Sequence, residues 1–208
     1  MNDLKEQLAL AAQGDPWALH ALREVAIETS DHTLRVQVAR LRAASQPELL
    51  FDERTESTLV KIPGGPTRLT RYRTQAHIPT FYLCEHPITN RQFATFLEET
   101  GYQPAPGYGD LVAYWGDDAP YDEELDHPVL FVNALDALHY CRWARMWLPT
   151  EWMWEKAASG PHGHTLPWTG GLDKDLLHID ENSTCHVEDY REITTAYGCQ
   201  NMLGNVSE

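Results

Sequence analysis

Sulfur chemistry is the first possibility that the side chains raise, because the chain carries cysteines at positions 84, 141, 185 and 199. A site for a soft metal ion would need two thiolates that converge on it. Cys84 is expected just before a helix and Cys141 on a core-facing helix, so these two do not offer such a pair. Cys185 and Cys199 flank a loop and are able to approach one another. Scattered cysteines without C-x-x-C spacing are typical of reduced thiols, although an even number also permits disulfides in an exported protein.

Metal binding by other side chains is the second possibility. His162 and His164 form an H-x-H pair, and Cys185 is followed by His186, but neither pair has the matching second half of a structural zinc site. Calcium is better supported, because hard cations prefer carbonyl, amide and carboxylate oxygens and residues 160–192 are rich in turns. No G-x-S-x-G, phosphate-loop or dinucleotide motif is present to suggest hydrolase or nucleotide chemistry.

A long loop from Gly101 to Asp126 is the third candidate, with three prolines, four glycines and an acidic run. Loops of this length are usually functional or mobile. The acidic run is typical of a solvated face, and cation or basic-peptide binding are alternatives. Aromatic side chains interleave the acids and predict a recognition surface, unless they only pin the loop to the body. The recognition residues predicted here are Tyr108, Tyr114, Trp115 and Tyr121.

The stretch from His127 to Ser159 is predicted to supply the framework for these groups. Its pattern indicates a buried strand over 129–132, a helix capped by Asn133 with Asp136 in its first turn, and a second helix capped by Thr150. Residues 145–148 are predicted to break the two helices apart, because the residue before a proline disfavours the helical conformation. The periodicity places Leu135, Leu138 and Trp143 on a core-facing side, and we expect Trp152 or Trp154 to be buried.

Three short helices are predicted for residues 1–46, with Asp15-Pro16 and Ser30 or Asp31 as starts. This helical arm resembles a fragment of a helical repeat, and either a structural cap or a partner-binding adaptor fits it. Residues 47–57 carry Pro47 and four acids and are predicted to be a linker. From residue 58 to residue 208 short strands and turns dominate, and a capping box at Thr89-x-x-Gln92 opens a helix that Gly101 ends.

Composition limits the partners. The 208 residues are 42 % hydrophobic and 23 % charged, which is typical of a globular protein, and the net charge is −15. This charge repels phosphate backbones and anionic lipid, so nucleic acid and membranes are not expected as partners. The N-terminus lacks the basic start and apolar core of a signal peptide, which predicts a cytoplasmic protein.

Several blocks resemble one family in order along the chain. VKIPGG at 60–65 and FYLCEHPITNRQFATFL at 81–97 lead into HPVLFVNALDALHYCRW and LPTEWMWEKAA, and AYGCQNMLGNVSE closes the series at 196–208. Together with Pro167-Trp168 and Asn182, these blocks resemble the formylglycine-generating enzymes, also called sulfatase-modifying factor domains. The resemblance implies an α+β fold of the C-type-lectin-like kind, with mixed short strands and two to three helices, preceded by the helical arm.

The resemblance also implies site residues. The family binds calcium at its "AN" block, which corresponds to Asn182 with Asp189 or Glu188, and at its GNVWE block, here Asn205, Val206 and Glu208. Both asparagines fit plain turns equally well. The copper-binding cysteines of the family belong to a part of its pattern beyond residue 208, so the resemblance predicts no catalytic residue here. A non-catalytic recognition or scaffolding module, binding a protein, a small ligand or the missing C-terminal half, is therefore the first interpretation. The N-terminal part of a copper-dependent oxidase of peptide cysteine is the alternative.

Overall fold

A computed structural model of the chain describes residues 2–69, 74–104, 111–116, 119–161, 163–164, 166, 177–179, 183–191 and 193–207. The fold divides into two compact units, Met1–Lys61 and Ile62–Glu208. No helix in the described ranges is long and apolar enough to cross a membrane.

The first unit begins with three helices, α1 (Asn2–Ala11), α2 (Pro16–Glu28) and α3 (His32–Ser45). Side-chain caps start the second and third helices, because the Asp15 carboxylate accepts from the Ala18 amide at 2.8 Å and Asp31 accepts from Leu34 at 3.0 Å. The three helices bury one small apolar core, as their spacing predicts: Ala11, Ala18, Leu19, Leu22, Ala26, Leu34 and Val38.

A hairpin completes the first unit and corrects the predicted linker. Strand β1 (Leu49–Asp52) lies inside residues 47–57 and pairs antiparallel with β2 (Ser57–Ile62), in the register Leu49↔Val60. The acids of this stretch suggested a solvated linker, but Glu53 forms a forked ion pair with Arg40, with a shortest contact of 2.6 Å. The charged residues therefore hold the hairpin to α3 of the same unit.

The second unit opens with short strands. Strands β3 (Gly65–Leu69) and β4 (Thr74–Ile78) pair antiparallel in the register Gly65↔Ile78, and β5 (Phe81–Cys84) follows after Pro79-Thr80.

Within the described ranges, four helices and one short 3-10 turn follow the strands. They are α4 (Asn90–Thr100), α5 (Leu111–Trp115), the 3-10 turn Asp122–Glu124, α6 (Ala134–Ala144) and α7 (Glu151–Ser159). The predicted caps are confirmed: Thr89 with Gln92 forms a capping box on α4, Asn133 with Asp136 forms one on α6, and the Thr150 side chain caps α7. The mixed fold predicted from the sequence, with its helical N-terminal arm, is confirmed.

An aromatic core joins α4, α5 and α6. Phe93 stacks on Tyr140 with ring centroids 5.7 Å apart, and Phe96 meets Phe93 edge-on at 5.2 Å. The other residues of this core are Leu111, Trp115, Trp143 and Ala144. Below them Asp136 is completely buried and accepts from the Asn133 amide at 2.8 Å and the Tyr102 hydroxyl at 2.9 Å.

Three details of the predicted framework are wrong. Residues 129–132 form no strand, because Phe131 has a positive φ of 58° and the only pairing nearby is a single bridge between Thr89 and Pro128. Leu135 and Leu138 are 64 % and 51 % exposed, so α6 turns them outward. Trp152 and Trp154 are both only half-buried, and the buried residues of α7 are the four from Lys156 to Ser159.

Candidate functional site

A surface cleft of about 480 Å³ lies in the second unit and is a candidate site. One wall is the segment from Asn201 to Ser207. The facing wall includes Trp154 of α7, His178 and Ser183. A volume of this size falls within the range of small-ligand pockets.

Asn205 organises the wall of the cleft. Its backbone is left-handed, with φ of 61°, a conformation that asparagine tolerates better than most residues. The side-chain oxygen accepts from the Cys185 amide at 2.9 Å, and the side-chain amide donates to the Cys185 carbonyl at 3.1 Å. It also donates to the Asn201 side chain at 3.2 Å, and the Asn205 backbone N–H donates to His178 at 2.7 Å. Asn205 therefore ties both walls together.

Gly204 permits this close approach. A Cβ at position 204 would lie 2.9 Å from the carbonyl oxygen of His178, and the φ of 89° is in the left-handed region. Only glycine fits both conditions without a shift of the backbone.

A buried polar contact anchors the other end of the wall. The Gln200 backbone N–H donates to the carbonyl of Glu85 at 2.6 Å, and its side-chain amide donates to the Glu85 carboxylate at 3.1 Å. Both residues are almost fully buried. Asn201 adds a 2.6 Å hydrogen bond from its side-chain amide to the carbonyl of Val187. These bonds fix the wall before any ligand arrives.

An ion pair holds the segment behind the cleft. Arg91 forms two 3.1 Å hydrogen bonds to the carboxylate of Asp126, and His186 Nε2 lies 3.9 Å from the same carboxylate. The Val187 backbone N–H donates to the Asp126 carbonyl at 3.0 Å. Residues 183–187 are thereby attached to the start of α4.

The four cysteines are free thiols. The described residues contain no cluster of three or more metal-ligating His, Cys, Asp or Glu side chains. Burial, with a smaller effect of the Asp189 charge, raises the pKa of the Cys185 thiol to about 11, and burial raises the pKa of Cys141.

The predicted calcium ligands are only partly described. Asn182 and Glu208 lie outside the described residues. Asp189 is exposed and close enough to Cys185 to raise its pKa, and Asn205 bonds to the backbone of the same Cys185. One member of each predicted calcium-ligand group therefore lies near Cys185: Asp189 of the first group and Asn205 of the second. Because a carbonyl oxygen has two lone pairs, the Asn205 oxygen retains one for a cation, and Val206 adds a backbone carbonyl next in the chain.

The predicted recognition loop separates into buried and exposed parts, with Tyr108 outside the described residues. Trp115 is 1 % exposed and its indole N–H donates to Asn90 at 3.1 Å, so it belongs to the core and not to an exposed recognition surface. Tyr114 donates to Glu124 at 2.9 Å, which pins the loop in the way that the alternative interpretation predicts. Tyr121 is 51 % exposed and remains available to a partner.

Comparison with known proteins identifies the family. The model of the sulfatase-modifying factor enzyme 1-like domain matches residues 46–208, well over half of the chain. The chain belongs to the sulfatase-modifying factor enzyme 1-like family. The resemblance of its ordered sequence blocks to this family is therefore confirmed.

Individual relatives agree with this assignment. YfmG of Bacillus subtilis is 30 % identical over 59 % of the chain, and the formylglycine-generating enzyme of Mycobacterium tuberculosis is 34 % identical over 53 % of it. The chain spans only 30 % and 54 % of the lengths of these two proteins. PvdO from Pseudomonas aeruginosa has the same fold, with a TM-score of 0.58, 17 % identity, and coverage of 76 % of this chain and 71 % of PvdO.

Sequence reasoning found one wall of the cleft through the GNVSE block but did not find the other. Trp154 stands within the LPTEWMWEKAA block, where the sequence predicts only that Trp152 or Trp154 is buried. His178 and Ser183 stand in the irregular 160–192 region, where no periodic pattern shows which side chains meet. Their proximity depends on hydrogen bonds between residues about 20 positions apart, as in the Cys185–Asn205 pair.

Proposed function

We propose that this chain is a non-catalytic recognition module of the sulfatase-modifying factor family, which binds a peptide segment of a partner protein in the cleft beside residues 201–207. The observation that carries the proposal is the cleft itself, because its volume is that of a ligand pocket and it is built from the family's own GNV block. Its walls combine one indole, one imidazole and several amide and hydroxyl groups.

The walls of the cleft are preorganised for binding. The side chains of Asn201 and Asn205 are held by hydrogen bonds to one another and to the backbone of residues 185 and 187. His178 Nε2 bonds to the Ser183 carbonyl at 2.6 Å. A ligand therefore meets groups that are already fixed, which lowers the entropic cost of binding. Half-exposed Trp154 offers the apolar surface on which a side chain of the ligand would pack.

Cys185 does not offer an activated thiol for an oxidation step. Cys185 is the cysteine bonded to the cleft wall, yet its raised pKa keeps it protonated near neutral pH. A protonated thiol is a poor ligand for copper and a poor nucleophile. No step through copper follows from the cysteines of this chain. The alternative, the N-terminal part of a copper-dependent oxidase acting on a peptide cysteine, draws support from the 34 % identity to the Mycobacterium tuberculosis enzyme.

A library of acetylated and amidated hexapeptides tests the recognition role. Fluorescence-labelled members are titrated with the chain and with the variants Trp154→Ala and Trp17→Ala. Trp17 is an exposed tryptophan of the helical unit and serves as the matched control. We expect peptides with Kd below about 1 mM whose binding falls at least tenfold in Trp154→Ala and is unchanged in Trp17→Ala. Equal binding by both variants would place the ligand elsewhere, and the absence of any binder would refute the proposal.

We further propose calcium as a structural ion, held at one position by Asn205, Val206 and Glu208 and at a second by Asn182 with Asp189. Amide, carbonyl and carboxylate oxygens are the donors that calcium prefers. The matched comparison is the melting temperature of the chain in calcium, in magnesium, and in a calcium chelator. We expect calcium alone to raise it, because a ligand that binds only the folded state stabilises that state. An identical midpoint in all three buffers would exclude the ion.

A further inference from the structure

An exposed apolar stripe runs along the outer side of α6. Phe131, Leu135 and Leu138 are 45 %, 64 % and 51 % exposed and recur at intervals of four and three residues. Leu135 and Leu138 lie on one side of α6, and Phe131 precedes the helix, two residues before its cap Asn133. Tyr140 and Trp143 on the other side of α6 are buried in the aromatic core. Three large apolar side chains in one exposed row are typical of a surface that binds another protein.

The two ends of the stripe carry opposite charges. At the N-terminal end, Tyr114 lies 5.2 Å from Phe131 between ring centroids and donates a hydrogen bond to Glu124. The exposed acids Asp122 and Glu123 precede Glu124 in the same 3-10 turn, so they are the charged groups next in the chain to this end of the stripe.

At the C-terminal end, Arg142 follows Leu138 by one helical turn, and Arg145 is the C-cap of α6. Both arginines are exposed, and neither side chain has a hydrogen-bond or ion-pair partner among the residues that the structure describes. The eleven residues of α6 separate the acidic from the basic end by roughly 16 Å.

We propose that this face is the interface of a homodimer, in which two copies of α6 pack antiparallel across a two-fold axis. In a two-fold interface the same face of both copies is in contact: where residue i of one copy meets residue j of the other, j also meets i. A face of this kind must therefore be complementary to itself. Here the axis passes near Leu135 and Leu138, and each acidic end, Asp122 and Glu123, meets the arginines of the other copy. The dipoles of the two helices are then antiparallel, which is the favourable arrangement.

The net charge of −15 does not prevent this association. Charges farther apart than about 8 Å are screened at physiological ionic strength, whereas pairs in direct contact are screened much less. The two exposed arginines are a local positive site on a strongly acidic protein. An acidic patch of a second copy is therefore an effective partner for them.

Sedimentation equilibrium on two charge-reversed chains tests the pairing. One chain carries Arg142→Glu and Arg145→Glu, and the other carries Asp122→Arg and Glu123→Arg. In a homodimer of either variant like charges face one another at both ends, whereas in the mixed dimer both ends are complementary. We expect the unaltered chain to reach twice its 23.7 kDa mass, each variant alone to dimerise at least tenfold more weakly, and an equimolar mixture to regain the dimer.

The mixture is also the control for folding, because only correctly folded variants restore the dimer. A third variant, Leu135→Asp, loses the dimer alone and is not rescued by mixing, since it alters the apolar centre. A monomeric unaltered chain would overturn the proposal and leave the face to a different protein. Dimers of undiminished strength in either charge-reversed chain, or a mixture that stays monomeric, would overturn it as well.

Discussion

Replacing Asn205 gives the most informative perturbation of the cleft. The Asn205→Gly variant retains the left-handed backbone but removes three side-chain hydrogen bonds, two to Cys185 and one to Asn201. At about 1 kcal/mol for each bond, and with a half-buried site, the variant should lose roughly 2–3 kcal/mol. Asn205→Ala loses the same bonds and adds about 1 kcal/mol of strain at φ of 61°. The unaltered chain is therefore expected to be the most stable, followed by Asn205→Gly and then by Asn205→Ala.

Hydrogen exchange of the Cys185 amide reads the change directly, because this N–H donates to Asn205. If local opening becomes easier by the same 2–3 kcal/mol, protection should fall roughly 30- to 150-fold in Asn205→Gly and further in Asn205→Ala. The measurement is made in a calcium chelator so that loss of an ion does not contribute. Unchanged protection of the Cys185 amide in Asn205→Gly would show that the Asn205 side chain does not hold the two walls together. Equal protection in Asn205→Gly and Asn205→Ala would refute the argument from backbone strain.

Three further predictions concern neighbouring groups. Gly204→Ala forces a contact of 2.9 Å with the His178 carbonyl, so it should destabilise the second unit by about 2 kcal/mol or more in urea unfolding, and a smaller change than 0.5 kcal/mol would argue against the close approach. Alkylation of Cys185 by iodoacetamide should be slow at pH 8 and accelerate up to about pH 11, and Asp189→Asn should lower the thiol pKa and speed the reaction at pH 8, whereas an unchanged rate would contradict the charge effect. Asp136→Ala removes a buried cap that accepts two hydrogen bonds, and should cost roughly 3–5 kcal/mol in the same unfolding assay, with a cost below 1 kcal/mol as the refuting result.

The parts of the fold that depend on local chemistry were predictable from the sequence. Asp15, Asn133 and Thr150 cap their helices because a short polar side chain beside the first turn reaches the unpaired amides within three residues. Such contacts need no knowledge of the rest of the chain. The sequence blocks and their order along the chain were also visible without the structure, and they identified the family.

The parts that depend on distant partners were not predictable in the same way. Helical periodicity shows that Leu135 and Leu138 share a side of α6, but not whether that side is covered. Trp115 looked like an exposed loop aromatic, because its burial depends on Phe93 and Asn90 of another helix. The positive φ of Phe131 is incompatible with the strand expected over residues 129–132, and the phenylalanine side chain gives no sign of this backbone conformation.

The same limit applies to the site. The GNVSE block was visible in the sequence as a candidate wall. The opposite wall depends on hydrogen bonds between Asn205 and residues 178 and 185, which lie 27 and 20 positions before it in the chain. The recognition residues predicted from aromatic content were only partly suitable, because hydrogen bonds to Asn90 and Glu124 hold two of them.

The mass of a cysteine-containing peptide tests the central claim most directly. A hexapeptide that binds the cleft is incubated with the chain, copper and dioxygen, and both its binding and its intact mass are measured. Recognition without oxidation predicts a bound peptide whose thiol mass is unchanged. Conversion of that thiol to an aldehyde by this chain would contradict the account and establish the oxidase alternative.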